Sequence, residues 1–288
     1  MQKKSFKFYF FFFILFSLGY FYNKNSWIEN NYFIRILTAH LKSIRFSECN
    51  ISYTKKIFPE SILIVGHAYG SSSINSNNFI NKKLEKKLDE NKKNIRILFL
   101  TGDVFEKANK YKWEKLFNKY NDHFEIHIAP GNHDNGLNDI IFSFNDQFNK
   151  PRISKYPYLK KTKNYNFIIE DSFSKGWQID KKILSLLDKL ENNKQNFILR
   201  HNIANKEFLN LANSKEGLIS DLPSMQNLTK KIQKKVTIIS GDTGASQELP
   251  SYFCKKYRNI TVLINGIGNF KKDNILILNQ ENIYRYEI

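Results

Sequence analysis

From residue 61 onward, short unbroken apolar runs alternate with amphipathic stretches, and most runs stop at a glycine or at a histidine, aspartate or asparagine. The runs are SILIVG (61–66), IRILFLTG (95–102), FEIHIAPGN (124–132), YNFIIED (165–171), NFILRH (196–201) and VTIISGD (236–242). Each is short and reads as a strand, and Ile62–Val65 as a buried one. Between them, NFINKKLEKKLDENKK (78–93), KWEKLFNKY (112–120) and DKKILSLLDKLENN (180–193) repeat their apolar residues at helical spacing. The tail, ITVLING, NILILN and NIYRYEI, reads as strands joined by tight turns. This alternation predicts an α/β fold with helices flanking buried sheet.

In such folds ligands gather beyond the carboxyl ends of the strands. Those ends carry His67 after Gly66, Asp103 after Gly102, Asn132, His133 and Asp134 after Gly131, then His201, then Asp242 after Gly241. The glycines let neighbouring backbones crowd together. Mixed carboxylate, imidazole and amide donors suit Mn, Fe or Zn, as one or two divalent metal ions. Such an ion can acidify water and neutralise phosphate oxygens. Taken singly, Asp103 and Asn132 could be turn residues and His201 structural; all in order at strand ends, they point to a site.

The segments TGDVFE, APGNHDNG, LRHNIA and SGDTGA, in that order, resemble the motif blocks of the calcineurin-like metallophosphoesterase superfamily: Asp-x-His, Gly-Asp, Gly-Asn-His-Asp/Glu, a lone His after a strand, and Gly-His-x-His. The Trp177-Gln178 segment and LINGIGNF (263–270) also suit that layout. The resemblance spans about residues 58–288. It implies a four-layer α/β/β/α sandwich with metals at one sheet edge, and hydrolysis of a phosphomonoester or phosphodiester by metal-bound hydroxide. By this likeness Asp103 bridges two metals, and Asn132 and His201 hold the second. His133 protonates the leaving oxygen, and Asp134 orients His133.

Two blocks depart from the pattern. Aligning VGHAYGS on the first block sets His67 on the aspartate and Tyr69 on the histidine, with Gly70 on the family's glycine. A shifted alignment sets His67 on the histidine and Val65 on the aspartate; the first is preferred. In the last block Asp242 replaces the first histidine and Gly244 the second. The second metal thus keeps Asp103, Asn132, His201 and Asp242. The first is left with His67 and Asp103, and Tyr69 as a further candidate. His40, His123 and His127 read as structural, and Asp122 and Asp171 as turn residues.

The N-terminus places the basic MQKKSFK before FYFFFFILFSLGYFY (8–22), which is uncharged and apolar. Residues 1–24 read as a signal anchor, with a cleaved signal peptide as the alternative. Lys3, Lys4 and Lys7 would stay cytoplasmic and the bulk of the chain extracytoplasmic. Residues 25–57 form a connector, helical within SWIENNYFIRILTAHLKSIRF, and 58–288 the main domain. The expected partners are the membrane, through the anchor, and a phosphorylated small-molecule, glycan or lipid substrate. The basic, aromatic NKPRISKYPYLKKTK (149–163) is a candidate recognition loop. The net charge of +18 comes from scattered lysines; without an Arg-rich stripe, zinc finger or aromatic RNA-binding signature, nucleic acid is not an expected partner. Spacing does not decide whether Cys49 and Cys254 pair. The rival class is a non-catalytic relative that binds a phosphorylated ligand or scaffolds a partner.

Overall fold

The computed structural model describes residues 49, 51–70, 79–134, 156–173, 178–191, 193–204, 223–243, 252–268 and 273–288. Their strands, in chain order, are β1 (Ser52–Thr54), β2 (Ser61–Val65), β3 (Ile95–Leu100), β4 (Glu125–Ile128), β5 (Tyr158–Lys161), β6 (Tyr165–Ile169), β7 (Gln195–Arg200), β8 (Val236–Ser240), β9 (Tyr252–Tyr257), β10 (Ile260–Asn265), β11 (Asn274–Asn279) and β12 (Asn282–Glu287). The helices are α1 (Lys82–Glu90), α2 (Lys110–Tyr120), α3 (Lys181–Asp188) and α4 (Met225–Lys231). They form two six-stranded sheets, ordered β1-β12-β11-β2-β3-β4 and β5-β6-β7-β8-β10-β9. In the first, β2, β3 and β4 run parallel; in the second, β6, β7, β8 and β10 do.

Period-2 alternation sorts the side chains. Ile62 and Ile64 of β2, Ile97 and Phe99 of β3, Phe167 and Ile169 of β6, and Phe197 and Leu199 of β7 meet in one core between the sheets. The alternate residues of the first sheet, Leu63, Val65, Leu98 and Leu100, pack under Leu84 and Leu88 of α1 and Trp113, Leu116 and Phe117 of α2. In the second sheet, Ile168, Ile198 and Ile238 pack under Ile183 and Leu187 of α3 and Leu228 of α4. Three apolar layers separate helix, sheet, sheet and helix, giving the expected two-sheet α/β architecture. Because both faces of each central strand are covered, their sequences are continuous rather than alternating.

Four elements go beyond the sequence reading. β1 lies within residues 25–57 yet pairs in parallel with β12, and Cys49 is disulfide-bonded to Cys254 of β9 with Cα atoms 5.5 Å apart. The compact unit therefore begins before residue 58, and the last part of the connector is strand. Residues 158–161, assigned to a recognition loop, are the edge strand β5, and Tyr156 there donates to the Ile128 carbonyl at 2.8 Å. The two-turn α4 is too short, and β9 with its two lysines too polar, to announce themselves. The proposed anchor, the connector helix at 26–46 and residues 149–155 lie outside the described residues; among the described residues no helix is long and apolar enough to cross a membrane.

Candidate metal centre

The parallel strands of both sheets end on the same side, and the site forms there. β2 delivers His67, β3 Asp103, β4 Asn132 to Asp134, β7 His201 and β8 Asp242. Main-chain bonds stitch these loops together: His67 N–H donates to the Gly102 carbonyl at 3.1 Å, and Asp242 N–H to the His201 carbonyl at 3.0 Å. Gly102 has φ +84°, and a Cβ there would stand 2.3 Å from the His201 ring. Only glycine permits both that turn and that approach.

Asp103 is the centre, 3% exposed. Its Oδ2 lies 3.5 Å from His67 Nε2 and 4.0 Å from His133 Nε2. Its Oδ1 lies 3.4 Å from His201 Nε2 and accepts the His133 N–H at 3.1 Å. His201 Nε2 in turn faces Asn132 Oδ1 at 3.1 Å and Asp242 Oδ1 at 3.7 Å. Each oxygen of one carboxylate thus addresses a different imidazole. The structure brings His67, Asp103, Asn132, His133, His201 and Asp242 together as the sequence reading grouped them.

The tautomers suit cation binding. His67 Nδ1 meets the Ile267 carbonyl at 3.2 Å, so Nδ1 carries the proton and Nε2 a lone pair. That Nε2 is buried with no hydrogen-bond partner, facing a carboxylate oxygen. Burial pulls the His67 pKa down to about 4, against the Asp103 charge that raises it. A lone pair and an anionic oxygen in mutual contact call for a cation between them. His201 Nδ1 likewise bonds the Thr101 carbonyl at 3.1 Å. Burial lowers its pKa, but Asp103 and Asp242 outweigh burial and raise it. Burial would raise the Asp103 pKa, yet His201, His67 and His133 hold it below the usual carboxylate range. At Asp242 burial wins over His201, and the pKa rises.

Among the described residues no group of three or more His, Cys, Asp and Glu side chains is arranged to hold a metal ion by itself. The donors here nonetheless fit a divalent ion. Bonds of about 2.0–2.2 Å set neighbouring donors roughly 3–3.5 Å apart, the spacing of His67 and His201 from Asp103. The arrangement counts an amide, Asn132, among its donors, and the orphaned Nε2 of His67 marks a place for a cation.

Asp134 is placed differently from expectation. Its oxygens accept the N–H groups of Val104 and Gly131, each at 3.0 Å. The His133 ring is instead oriented by the Glu106 carbonyl, 2.8 Å from Nδ1. Asp134 ties the Asp103 loop to the Asn132 loop, and a main-chain carbonyl takes the orienting role. Burial, then Asp103, raise the Asp134 pKa to about 7 against those two N–H bonds. Tyr69 is buried, its ring 4.3 Å from that of His67 and 5.5 Å from that of His133. Burial and Asp103 raise its pKa, so it remains a neutral phenol. His127 stacks on Phe99 at 5.2 Å, a packing role away from the cluster.

The sequence model of the calcineurin-like phosphoesterase family matches residues 67–266. The chain belongs to this family. That stretch begins at His67 and takes in His67, Asp103, Asn132, His133, Asp134, His201 and Asp242. No curated protein matches the chain. Among solved structures it is similar to the crystal structure of Chaetomium thermophilum Vps29, at 9% identity over 79% of this chain and 88% of that one, with a TM-score of 0.36; a likeness that low carries no functional argument. Calcineurin-like phosphoesterases normally bind divalent metals, in keeping with the donor set. Sequence reasoning missed the carbonyls of Thr101, Ile267 and Glu106 that set the three ring orientations. Backbone acceptors leave no residue-type signal, so only the fold could reveal them.

Proposed function

We propose that the chain is a metal-dependent phosphoesterase, anchored at or exported across a membrane, that hydrolyses a phosphomonoester or phosphodiester on a cell-surface glycan or lipid intermediate. The observation that carries this reading is Asp103, whose two oxygens face His67 and His201 separately while His133 stands at the open side. Asp103, Asn132, His201, Asp242 and His67 would hold one or two divalent ions. A bound ion supplies Lewis acidity and neutralises phosphate charge. The chain's own contribution is positioning and proton transfer. Water adds to phosphorus as the bond to the leaving oxygen breaks; His133 passes a proton from Nε2 to that oxygen, and the proton the water gives up passes to solvent, from which His133 is reprotonated. Its Nδ1–H, committed to the Glu106 carbonyl, keeps the ring in place. The Cys49–Cys254 disulfide supports an extracytoplasmic location, since such bonds persist in oxidising compartments.

The test is hydrolysis of an aryl phosphomonoester and an aryl phosphodiester by the purified full chain with Mn²⁺, Zn²⁺ or Fe²⁺. Turnover that disappears with chelator and returns with metal supports the reading. The second reading, a non-catalytic binder of a phosphorylated ligand, rests on Gly244 and Tyr69 standing where the family's pattern has histidines. Metal-dependent binding of inorganic phosphate without turnover of either ester would favour it.

A further inference from the structure

We infer that the two halves of the site are unequal, and that the half built on His67 takes its ion only when a phosphate group is present. The inference rests on the metal-dependent reading above and concerns how this chain's own residues divide. On the Oδ1 side of Asp103 stand His201 Nε2 at 3.4 Å and, around that nitrogen, Asn132 Oδ1 at 3.1 Å and Asp242 Oδ1 at 3.7 Å. Four protein donors, two of them carboxylates, thus stand on that side. On the Oδ2 side the near donors among the described residues are the carboxylate oxygen and His67 Nε2, 3.5 Å apart, with His133 Nε2 farther off at 4.0 Å. Position 244 is glycine and has no side chain to offer, wherever its loop lies. The Tyr69 ring, packed on His67 at 4.3 Å, walls this side.

The His67 half is nevertheless built for a cation. Its Nε2 is sealed from solvent with no partner, and the opposite ring nitrogen is anchored on the Ile267 carbonyl. A buried acceptor aimed at another acceptor is costly unless a cation joins them. Divalent Mn or Zn needs four to six ligands. Two near donors, even with His133 Nε2 at 4.0 Å, leave a vacancy that water fills weakly and a phosphate oxygen fills with charge. Phosphate bound to the ion on the Oδ1 side brings such an oxygen next to Oδ2. Ion and phosphate then raise each other's affinity, because coupling between sites is reciprocal.

The experiment is calorimetric titration of the metal-free full chain with Mn²⁺, with and without inorganic phosphate, alongside the electron paramagnetic resonance spectrum of bound Mn²⁺. The expected result is one equivalent bound without phosphate. A second should appear with phosphate, tightened about tenfold or more, within the range usual for coupled sites, with the spectrum changing from isolated to spin-coupled Mn²⁺. His67→Ala should keep the first equivalent and lose the phosphate-dependent one. Asp242→Ala should weaken the first. Two equal equivalents without phosphate would overturn the inference, as would one equivalent whatever the phosphate concentration; the wild-type titration alone decides between these. Failure to bind any divalent metal would overturn the proposed function as well.

Discussion

At His67 and Asp103 the backbone enters the left-handed region, with φ of 50° and 52°. Each such non-glycine residue costs on the order of 1–3 kcal/mol and persists where its surroundings enforce it. The two residues share the 3.5 Å contact at the centre of the cluster, so the strain is spent on aiming a lone pair at a carboxylate. His133 lies beside them, its side chain 30% exposed, with its tautomer set by a main-chain carbonyl. His133→Ala should lower kcat by about 10² to 10⁴, the usual worth of a general acid. Bound metal, measured by elemental analysis, should not change. Equal turnover in wild type and variant would remove His133 from the chemistry. A second buried charge lies apart from this cluster. Glu170 and Arg200, 1% and 0% exposed, stand 3.5 Å apart. Burial raises the Glu170 pKa to about 7 despite Arg200, so the folded state keeps a proton that the unfolded chain releases near pH 4.5. The stability Glu170 contributes is therefore present at low pH and lost as pH rises through about 7. Glu170→Gln has no proton to lose, so between pH 5 and 8 its melting temperature should gain on the wild type's. A constant gap across that range would contradict this.

Elements deliver the site by ending where they do. α1 starts at Asn81, whose Oδ1 accepts the N–H groups of Lys83 at 2.9 Å and Leu84 at 3.3 Å. The Asn81 N–H donates to the Ala68 carbonyl at 2.8 Å, tying the helix start to the loop that carries His67. Asn81→Ala should cost about 1 kcal/mol as a lost cap, read from a denaturant midpoint. β3 ends at Gly102, whose positive φ and contact with the His201 ring leave no room for a side chain. Gly102→Ala should destabilise by on the order of 2–5 kcal/mol, combining left-handed strain with overpacking, and should weaken metal binding because His201 must move. A variant with unchanged melting temperature and metal content would show that the turn tolerates a methyl group.

Across the whole molecule, one covalent bond spans 205 residues of sequence, from Cys49 beside β1 to Cys254 of β9. It ties the chain entering the first sheet to the far edge of the second, through the core between them. In the chain-entropy description a loop this long contributes on the order of 5 kcal/mol. Cys49→Ser with Cys254→Ser should therefore lower the melting temperature, and a reducing agent should do the same to the wild type but not to the double variant. No effect of reductant on the wild type would mean that the bond does not form. The proposed topology has its own check. A C-terminal reporter active only in the cytoplasm should be silent on this chain, and activity would place the domain inside.

The central strands and their ligand-bearing ends were legible from the sequence for one physical reason. A strand covered on both faces is largely apolar, so it shows as a run, and the polar and glycine residues that follow it mark the loop at its end. His67, Asp103, Asn132, His201 and Asp242 stand at such points. The short or polar edge strands β1, β5 and β9 show no such run, and their pairing with β12, β6 and β10 leaves little trace in residue type. Contacts between residues distant in the chain were equally hidden. The pairing of Cys49 with Cys254 and the carbonyls that set the rings of His67, His133 and His201 arise from juxtaposition in space. So does the role of Asp134, which the motif assigns to the neighbouring histidine. In the folded chain its carboxylate holds two loops, because the Val104 and Gly131 N–H groups reach it first and Glu106 has already taken the ring.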